Sequence, residues 1–286
     1  MTKTVLITGT STGFGHALVP RFLDAGWTVL ATMRNAESRQ DLFKDEAAKT
    51  ADRLFIINLD VAAAEDRAAV ARFIDNRFDG RLDCLVNNAG FGLFGALEDV
   101  SEAQIRNQME VNFFGLVLLT RQLLPHLRRA RGRIINVSSV LGYTGMPLSA
   151  LYAASKFAVE GLSESLDYEL RPHGVQVAIV EPGGFRTGFR SNLVYGEKSF
   201  DESSAYRSQF AAFKRYREAR ETGPGNPIDP VVDAVMQLAA ANKMPLRVRC
   251  GKDAKAGYAA KRILPEGLYR AVLSKVFNKL FANKSD

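Results

Sequence analysis

The chain has 286 residues, with 38 Lys+Arg against 31 Asp+Glu and a formal net charge of +7. That length allows one large domain or two small ones and is enough to bury a sizeable core. Its two cysteines, Cys84 and Cys250, give no metal spacing and no disulfide framework. No apolar run approaches the length of a bilayer span, and the basic residues are not interleaved with stacking aromatics as in a nucleic-acid module.

In chain order, Thr4-Val5-Leu6-Ile7-Thr8 reads as a buried strand. A first strand at residue 4 leaves no room for a signal peptide, so a cytoplasmic protein with reduced thiols is expected. Gly9, Thr10, Ser11, Gly13, Phe14 and Gly15 follow, with Gly-x-x-x-Gly-x-Gly spacing, and then an amphipathic helix. Glycine lets the backbone turn tightly and come close to a ligand. The helix N-terminus offers free N–H groups and partial positive charge to a pyrophosphate.

The second strand, from Trp27, runs into Met33-Arg34-Asn35. An acid at this distance from the glycines would bind a ribose 2′-hydroxyl. None lies between Trp27 and Asn35, and Arg34 is placed instead to meet a 2′-phosphate, with Thr10 and Ser11 as further hydroxyl donors. A third apolar run ends at Asn58-Leu59-Asp60-Val61, where Asp60 could meet an adenine amino group. The run Cys84-Leu85-Val86 ends at Asn87-Asn88-Ala89-Gly90. The run Val175 to Val180 ends at Glu181-Pro182-Gly183-Gly184-Phe185-Arg186-Thr187, where Thr187 offers a hydroxyl to a carboxamide. These turns cluster at the C-terminal ends of successive strands, where open α/β sheets bind ligands.

Between those turns lies the most informative stretch. Tyr152 and Lys156 are four residues apart and share one helix face. A cation beside a phenol favours the phenolate and lowers its pKa from about 10 toward neutrality. A phenol so tuned can give a proton to a carbonyl oxygen or take one from an alcohol. Ser139, thirteen residues upstream of Tyr152, could hydrogen-bond the same oxygen.

Beyond Glu181 the pattern changes. Residues up to Tyr206 carry a net charge of −2 and those from Arg207 carry +9. Phe200 to Glu221 reads as a charged helix broken at Pro224-Gly225-Asn226-Pro227. A second helix runs from Asp229-Pro230 to about Asn242, and Leu246 to Cys250 reads as a last strand. In the tail, Tyr269, Val272, Leu273, Val276, Phe277, Leu280 and Phe281 recur at helical spacing, with Arg270, Lys275 and Lys279 off that stripe. Such a helix packs on the body or on a second subunit; the alternative is a basic amphipathic helix lying on a membrane surface.

Together the motifs resemble the short-chain dehydrogenase/reductase family of the soluble Tyr-x-x-x-Lys type. The resemblance runs from about Lys3 to about Arg190. It rests on Thr8-Gly9-x-x-x-Gly13-x-Gly15, Asp60, Asn87-Asn88-Ala89-Gly90, Asn112, Ser139, Tyr152, Lys156 and Pro182-Gly183. It implies an α/β fold: a single-domain, Rossmann-type, doubly wound parallel sheet of about seven strands with helices on both faces. Residues 1–250 would form that domain, with a substrate-covering segment at about 188–228. Residues 251–286 would be a helical extension packed on it.

The resemblance also implies roles. Tyr152 is the acid/base, and Lys156 holds the nicotinamide ribose and lowers the Tyr152 pKa. Ser139 polarises the substrate carbonyl, and Asn112 holds a water on the proton relay. The cofactor surface comprises Gly9, Thr10, Ser11, Gly13, Phe14, Gly15, Arg34, Asp60, Val61, Asn88, Ala89, Gly90, Tyr152, Lys156, Pro182, Gly183 and Thr187. NADP(H) is preferred, with NAD(H) as the alternative; one departure from the NADP pattern is Thr12, where many such members carry a basic residue. The loops Phe91-Leu93-Phe94, Leu141-Tyr143-Met146-Pro147 and Phe185-Phe189 are mostly apolar, which favours a lipophilic ketone or alcohol as substrate. A homodimer or homotetramer is expected. The competing reading is a non-catalytic NADP(H)-binding sensor or scaffold, against which Asn112, Ser139, Tyr152 and Lys156 all speak.

Overall fold

The computed structural model describes residues 2–50, 52–185, 193–222 and 227–282. Strands and helices alternate through the first two-thirds of the chain. The order is β1 (Thr4–Thr8), α1 (Gly13–Asp24), β2 (Thr28–Met33), α2 (Lys44–Lys49), β3 (Leu54–Asn58), α3 (Ala64–Phe78), β4 (Cys84–Asn87), β5 (Gly92–Phe94) and α4 (Glu102–Met109). Then come α5 (Leu116–Ala130), β6 (Arg133–Val137), α6 (Ala150–Leu170), β7 (Gln176–Pro182), β8 (Leu193–Tyr195), α7 (Arg207–Thr222), α8 (Asp229–Ala240), β9 (Arg247–Cys250), α9 (Lys252–Ile263) and α10 (Glu266–Ala282).

Seven strands pair in parallel in the order β3-β2-β1-β4-β6-β7-β9. Alternation along β1 sends Val5 and Ile7 to one face and Leu6 to the other. The first face is covered by α1 and α8, through Leu18, Phe22, Val231 and Val235. The second is covered by α3 and α5, through Val70, Ile74, Leu119 and Leu123. Because both faces are covered, the strands are near-continuous β-branched runs. The strand order reverses at β1, so β1 and β4 diverge into α1 and the Asn87-Asn88-Ala89-Gly90 turn, and a crevice opens between them.

Three features depart from the sequence reading. A second, two-stranded parallel sheet joins β5 to β8. The charged helix expected from Phe200 begins at Arg207. Ser203 donates to the Asp201 carboxylate through both its amide and its hydroxyl, and the Ser204 hydroxyl donates to the Asp99 carboxylate, which holds the preceding residues in turns. Asn112 lies in a π-helical segment, Glu110–Gly115, between α4 and α5. Such segments recur at functional sites.

Candidate active site

The crevice begins where β1 ends. Gly9 and Gly13 take the left-handed backbone with φ of 71° and 62°, which a side chain would strain. A Cβ on Gly15 would run into the Gly9 carbonyl and stand 2.6 Å from Asn88 Nδ2, so the turn admits no side chain there. The turn is braced from β4. The amides of Asn88 and Ala89 each donate to the Thr8 hydroxyl at 2.9 Å, and Asn88 Nδ2 donates to the carbonyls of Thr8 and Gly9. Helix α1 opens at Gly13 with no acidic residue in its first turn, so its positive end is left for an anion. A glycine cradle facing a helix N-terminus fits the pyrophosphate of a dinucleotide.

Around that cradle the expected residues fall as follows. Arg34 is exposed directly after β2 and precedes Asn35, whose φ is 54°. Thr10 is fully buried and its hydroxyl donates to the Thr32 carbonyl at 3.2 Å, so it ties the turn to β2 rather than standing ready for a phosphate. Ser11 and Phe14 are half-buried on the turn. Asp60 is half-buried after β3 and accepts from the Ala62 amide at 3.0 Å, with Val61 buried behind it. Gly90 faces Asn112, whose Oδ1 would lie 3.1 Å from a Cβ placed there. Pro182 is buried at the end of β7, and the Gly183 amide donates to the Cys250 carbonyl at 2.9 Å. Thr187 and Phe189 lie outside the described residues.

Helix α6 supplies the second half of the site. Tyr152, Ser155 and Lys156 are all buried on it. The Lys156 ammonium lies 5.8 Å from the Tyr152 ring centroid and donates to the Val137 carbonyl at 2.9 Å. Ser139 sits at the end of β6, accepts from the Leu141 amide at 3.1 Å and hydrogen-bonds the Tyr152 phenol. Asn112 is held from three sides. Its Oδ1 accepts from the Phe91 amide at 3.0 Å, and its Nδ2 donates to the Phe91 carbonyl at 2.9 Å and the Ser155 hydroxyl at 3.2 Å. The side chain amide therefore stitches the β4 turn to α6.

The electrostatics correct one expectation. Burial raises the Tyr152 pKa above its ordinary value, and only the Ser139 hydrogen bond and the Arg217 charge pull it back. The lowering expected from Lys156 is not what these side chains produce. Burial instead brings Lys156 down to about 8, against the opposing pull of Glu160, so its charge is itself under strain.

A match to the short chain dehydrogenase family covers residues 3–198. The chain belongs to the short-chain dehydrogenase family. It is 34% identical over 272 residues to 3-ketodihydrosphingosine reductase of Bacteroides thetaiotaomicron, covering 94% of this chain and 96% of the relative. The fold superposes on a short-chain dehydrogenase from Streptomyces avermitilis with a TM-score of 0.78 and 32% identity, covering 98% of this chain and 95% of that one. A short-chain dehydrogenase from Burkholderia cenocepacia, solved with NADP, gives a TM-score of 0.74 at 25% identity, covering 95% and 98% of the two chains.

In this short-chain dehydrogenase, the residues singled out as a substrate wall divide. Phe94 and Leu141 join Leu148, Phe210 and Phe213 in a buried cluster around Tyr152, and Phe94 lies 5.7 Å from the Tyr152 ring. Tyr143 donates its hydroxyl to the Ala254 carbonyl at 2.8 Å and so faces the C-terminal extension. Phe185 packs edge-on against Phe14 at 6.1 Å, below the glycine turn rather than beside Phe94. Sequence reasoning missed Arg217, whose guanidinium lies 4.4 Å over the Phe94 ring; its position three turns into a charged helix gave no signal. It also missed Asp253, which accepts from the Gly184 amide at 2.7 Å.

Proposed function

We propose that this short-chain dehydrogenase interconverts a carbonyl and an alcohol on a lipophilic small molecule, using NADP(H). The observation that carries the reading is the buried convergence of Ser139, Tyr152 and Lys156 beside a glycine cradle. The relatives named above, a reductase of 3-ketodihydrosphingosine and a dehydrogenase solved with NADP, support it from outside the chain.

Gly9, Gly13, Phe14 and Gly15 hold the pyrophosphate, and Ser11 and Arg34 hold the 2′-phosphate. Asp60 and Val61 border the adenine, with Asn88, Ala89 and Gly90 along the adjoining ribose. Pro182, Gly183 and Thr187 bound the nicotinamide. When bound, that cofactor supplies or accepts a hydride. Ser139 donates a hydrogen bond to the substrate oxygen. Tyr152 gives that oxygen its proton in reduction and takes it in oxidation. Lys156 binds the ribose hydroxyls and shares the proton path with Tyr152. Asn112 fixes the Phe91 segment and orders water on that path. Phe94, Leu141 and Phe213 give the site an apolar wall, which favours a lipophilic substrate, and the Arg217 guanidinium over Phe94 adds a cation beside it. A scaffold that only bound the dinucleotide would leave the buried Ser139–Tyr152 pair without a task. The test is NADPH oxidation against a panel of ketones: turnover with apolar ketones is expected, and none with any carbonyl compound would overturn the reading.

A further inference from the structure

Helix α10 carries two apolar stripes rather than one. The first runs through Tyr269, Leu273, Phe277 and Phe281 at intervals of four residues and is turned to the body. Tyr269 is buried, its hydroxyl pairs with that of Thr144 at 2.9 Å, and Phe281 packs against the cluster around Phe94 and Tyr152. Leu273 and Phe277 are half-buried between them. Leu280 lies outside the described side chains.

The second stripe has no cover among the described residues. Leu268, Val272 and Val276 follow one another at the same interval and are 52%, 45% and 56% exposed. Ile263, at the end of α9, is 77% exposed. A packed helix has no use for a second apolar face in water, and exposed apolar strips mark interaction sites.

The charges beside that strip discriminate between occupants. Lys275 stands three residues after Val272, and Lys279 three after Val276, so both ammonium groups border the exposed stripe. Glu266 is the only acidic residue of α10, and it lies in the first turn. From Gly251 to Asp286 there are eight Lys+Arg and three Asp+Glu. A second copy docked face to face would offer these lysines no carboxylate, because the stripe itself carries none. An anionic surface meets them all. No helix among the described residues is long and apolar enough to cross a membrane, so α10 can lie on a bilayer but not span it.

We propose that the Leu268–Val272–Val276 face of α10 docks on the surface of an anionic lipid bilayer. The three aliphatic side chains enter the boundary between headgroups and acyl chains. Lys275 and Lys279 lay their methylene stems along it and hold their ammonium groups at the lipid phosphates. The adjoining Tyr269–Leu273–Phe277–Phe281 stripe keeps the helix on the body, so the whole enzyme is carried to the surface. This proposal does not depend on the catalytic reading.

The experiment is co-sedimentation of the full chain with vesicles of phosphatidylcholine, alone or mixed with phosphatidylglycerol, at low and high salt. Three proteins are compared: the wild type, Leu268→Ser/Val272→Ser/Val276→Ser, and Lys275→Gln/Lys279→Gln. All three substituted aliphatic positions are exposed, and thermal melting checks that each variant stays folded. The wild type is expected to pellet with the mixed vesicles, to release at high salt, and to ignore phosphatidylcholine alone. The serine variant loses binding. The glutamine variant binds about tenfold or more weakly, since each lysine near an anionic surface is worth about a factor of five. A wild type that stays in solution with anionic vesicles overturns the proposal, as does a serine variant that pellets like the wild type. So does a wild-type oligomer, measured by light scattering, that the serine variant dissociates, because the face would then belong to a second copy.

Discussion

Asp253 accepts a hydrogen bond from the Gly184 amide at 2.7 Å, so the C-terminal extension holds the loop that leaves β7. The same carboxylate lies against Gly183, where a Cβ would overlap Asp253 Oδ1. Gly183 donates its own amide to the Cys250 carbonyl, one residue before the turn into α9. Strand β7, strand β9 and helix α9 therefore set one loop between them, and the proposed function places that loop at the nicotinamide.

A double-mutant cycle tests this coupling. Asp253→Ala frees the loop and should weaken NADPH binding several-fold in a fluorescence titration. Gly183→Ala displaces the carboxylate and should do the same. Because both act on one contact, the double variant should be no weaker than the worse single variant. Fully additive losses would show that the carboxylate does not position the loop.

Coenzyme choice rests on Arg34. It is exposed immediately after β2, with no acid between Trp27 and Asn35 to bind a 2′-hydroxyl. Arg34→Ala should weaken NADPH binding by about one to two orders of magnitude, the range for losing a charge-assisted contact, and leave NADH binding nearly unchanged. Equal losses for both coenzymes would remove Arg34 from the 2′-phosphate site.

A buried carboxylate gives the fold a pH dependence. Glu181 is 1% exposed, with Arg249 Nε at 2.8 Å and Arg247 Nε at 3.7 Å. Burial and the neighbouring Glu160 nonetheless raise its pKa from 4.5 to about 7. The folded state thus binds a proton that the unfolded state releases between those values. Its contribution is fully present below pH 4.5 and is lost as pH rises through about 7. Glu181→Gln should remove that slope, flattening urea-unfolding stability between pH 4.5 and 7 by an amount on the order of 2–3 kcal/mol. An unchanged slope in the variant would assign the titration to another group.

Much of the frame is legible in the sequence because its causes are local. The short apolar runs at Thr4–Thr8 and Val175–Val180, bounded by turn residues, read as strands buried on both faces, as in a parallel sheet. A spacing of four places Tyr152 and Lys156 on one helix whatever surrounds it. What escapes the sequence is set by distant partners. Strands β5 and β8 are three residues each and pair across about a hundred residues, too short to show a period. Thr10 reads as a free hydroxyl until Thr32 is seen to accept from it. The Tyr152 phenol reads as lowered by its neighbouring lysine, but burial by Phe94 and Leu148 acts in the opposite sense and dominates. The two stripes of α10 merge into one in the sequence, because exposure depends on where α7 lies.

The central claim is that Tyr152 moves the proton. Tyr152→Phe removes one oxygen and leaves the ring against Phe94, so the fold and the glycine cradle should be untouched. The decisive measurement is single-turnover reduction of an apolar ketone by the Tyr152→Phe variant under saturating NADPH, with NADPH affinity titrated on the same sample. The expected rate is lower by about 10² or more at unchanged affinity, the usual worth of a positioned acid/base. A near-normal rate at normal affinity would contradict it.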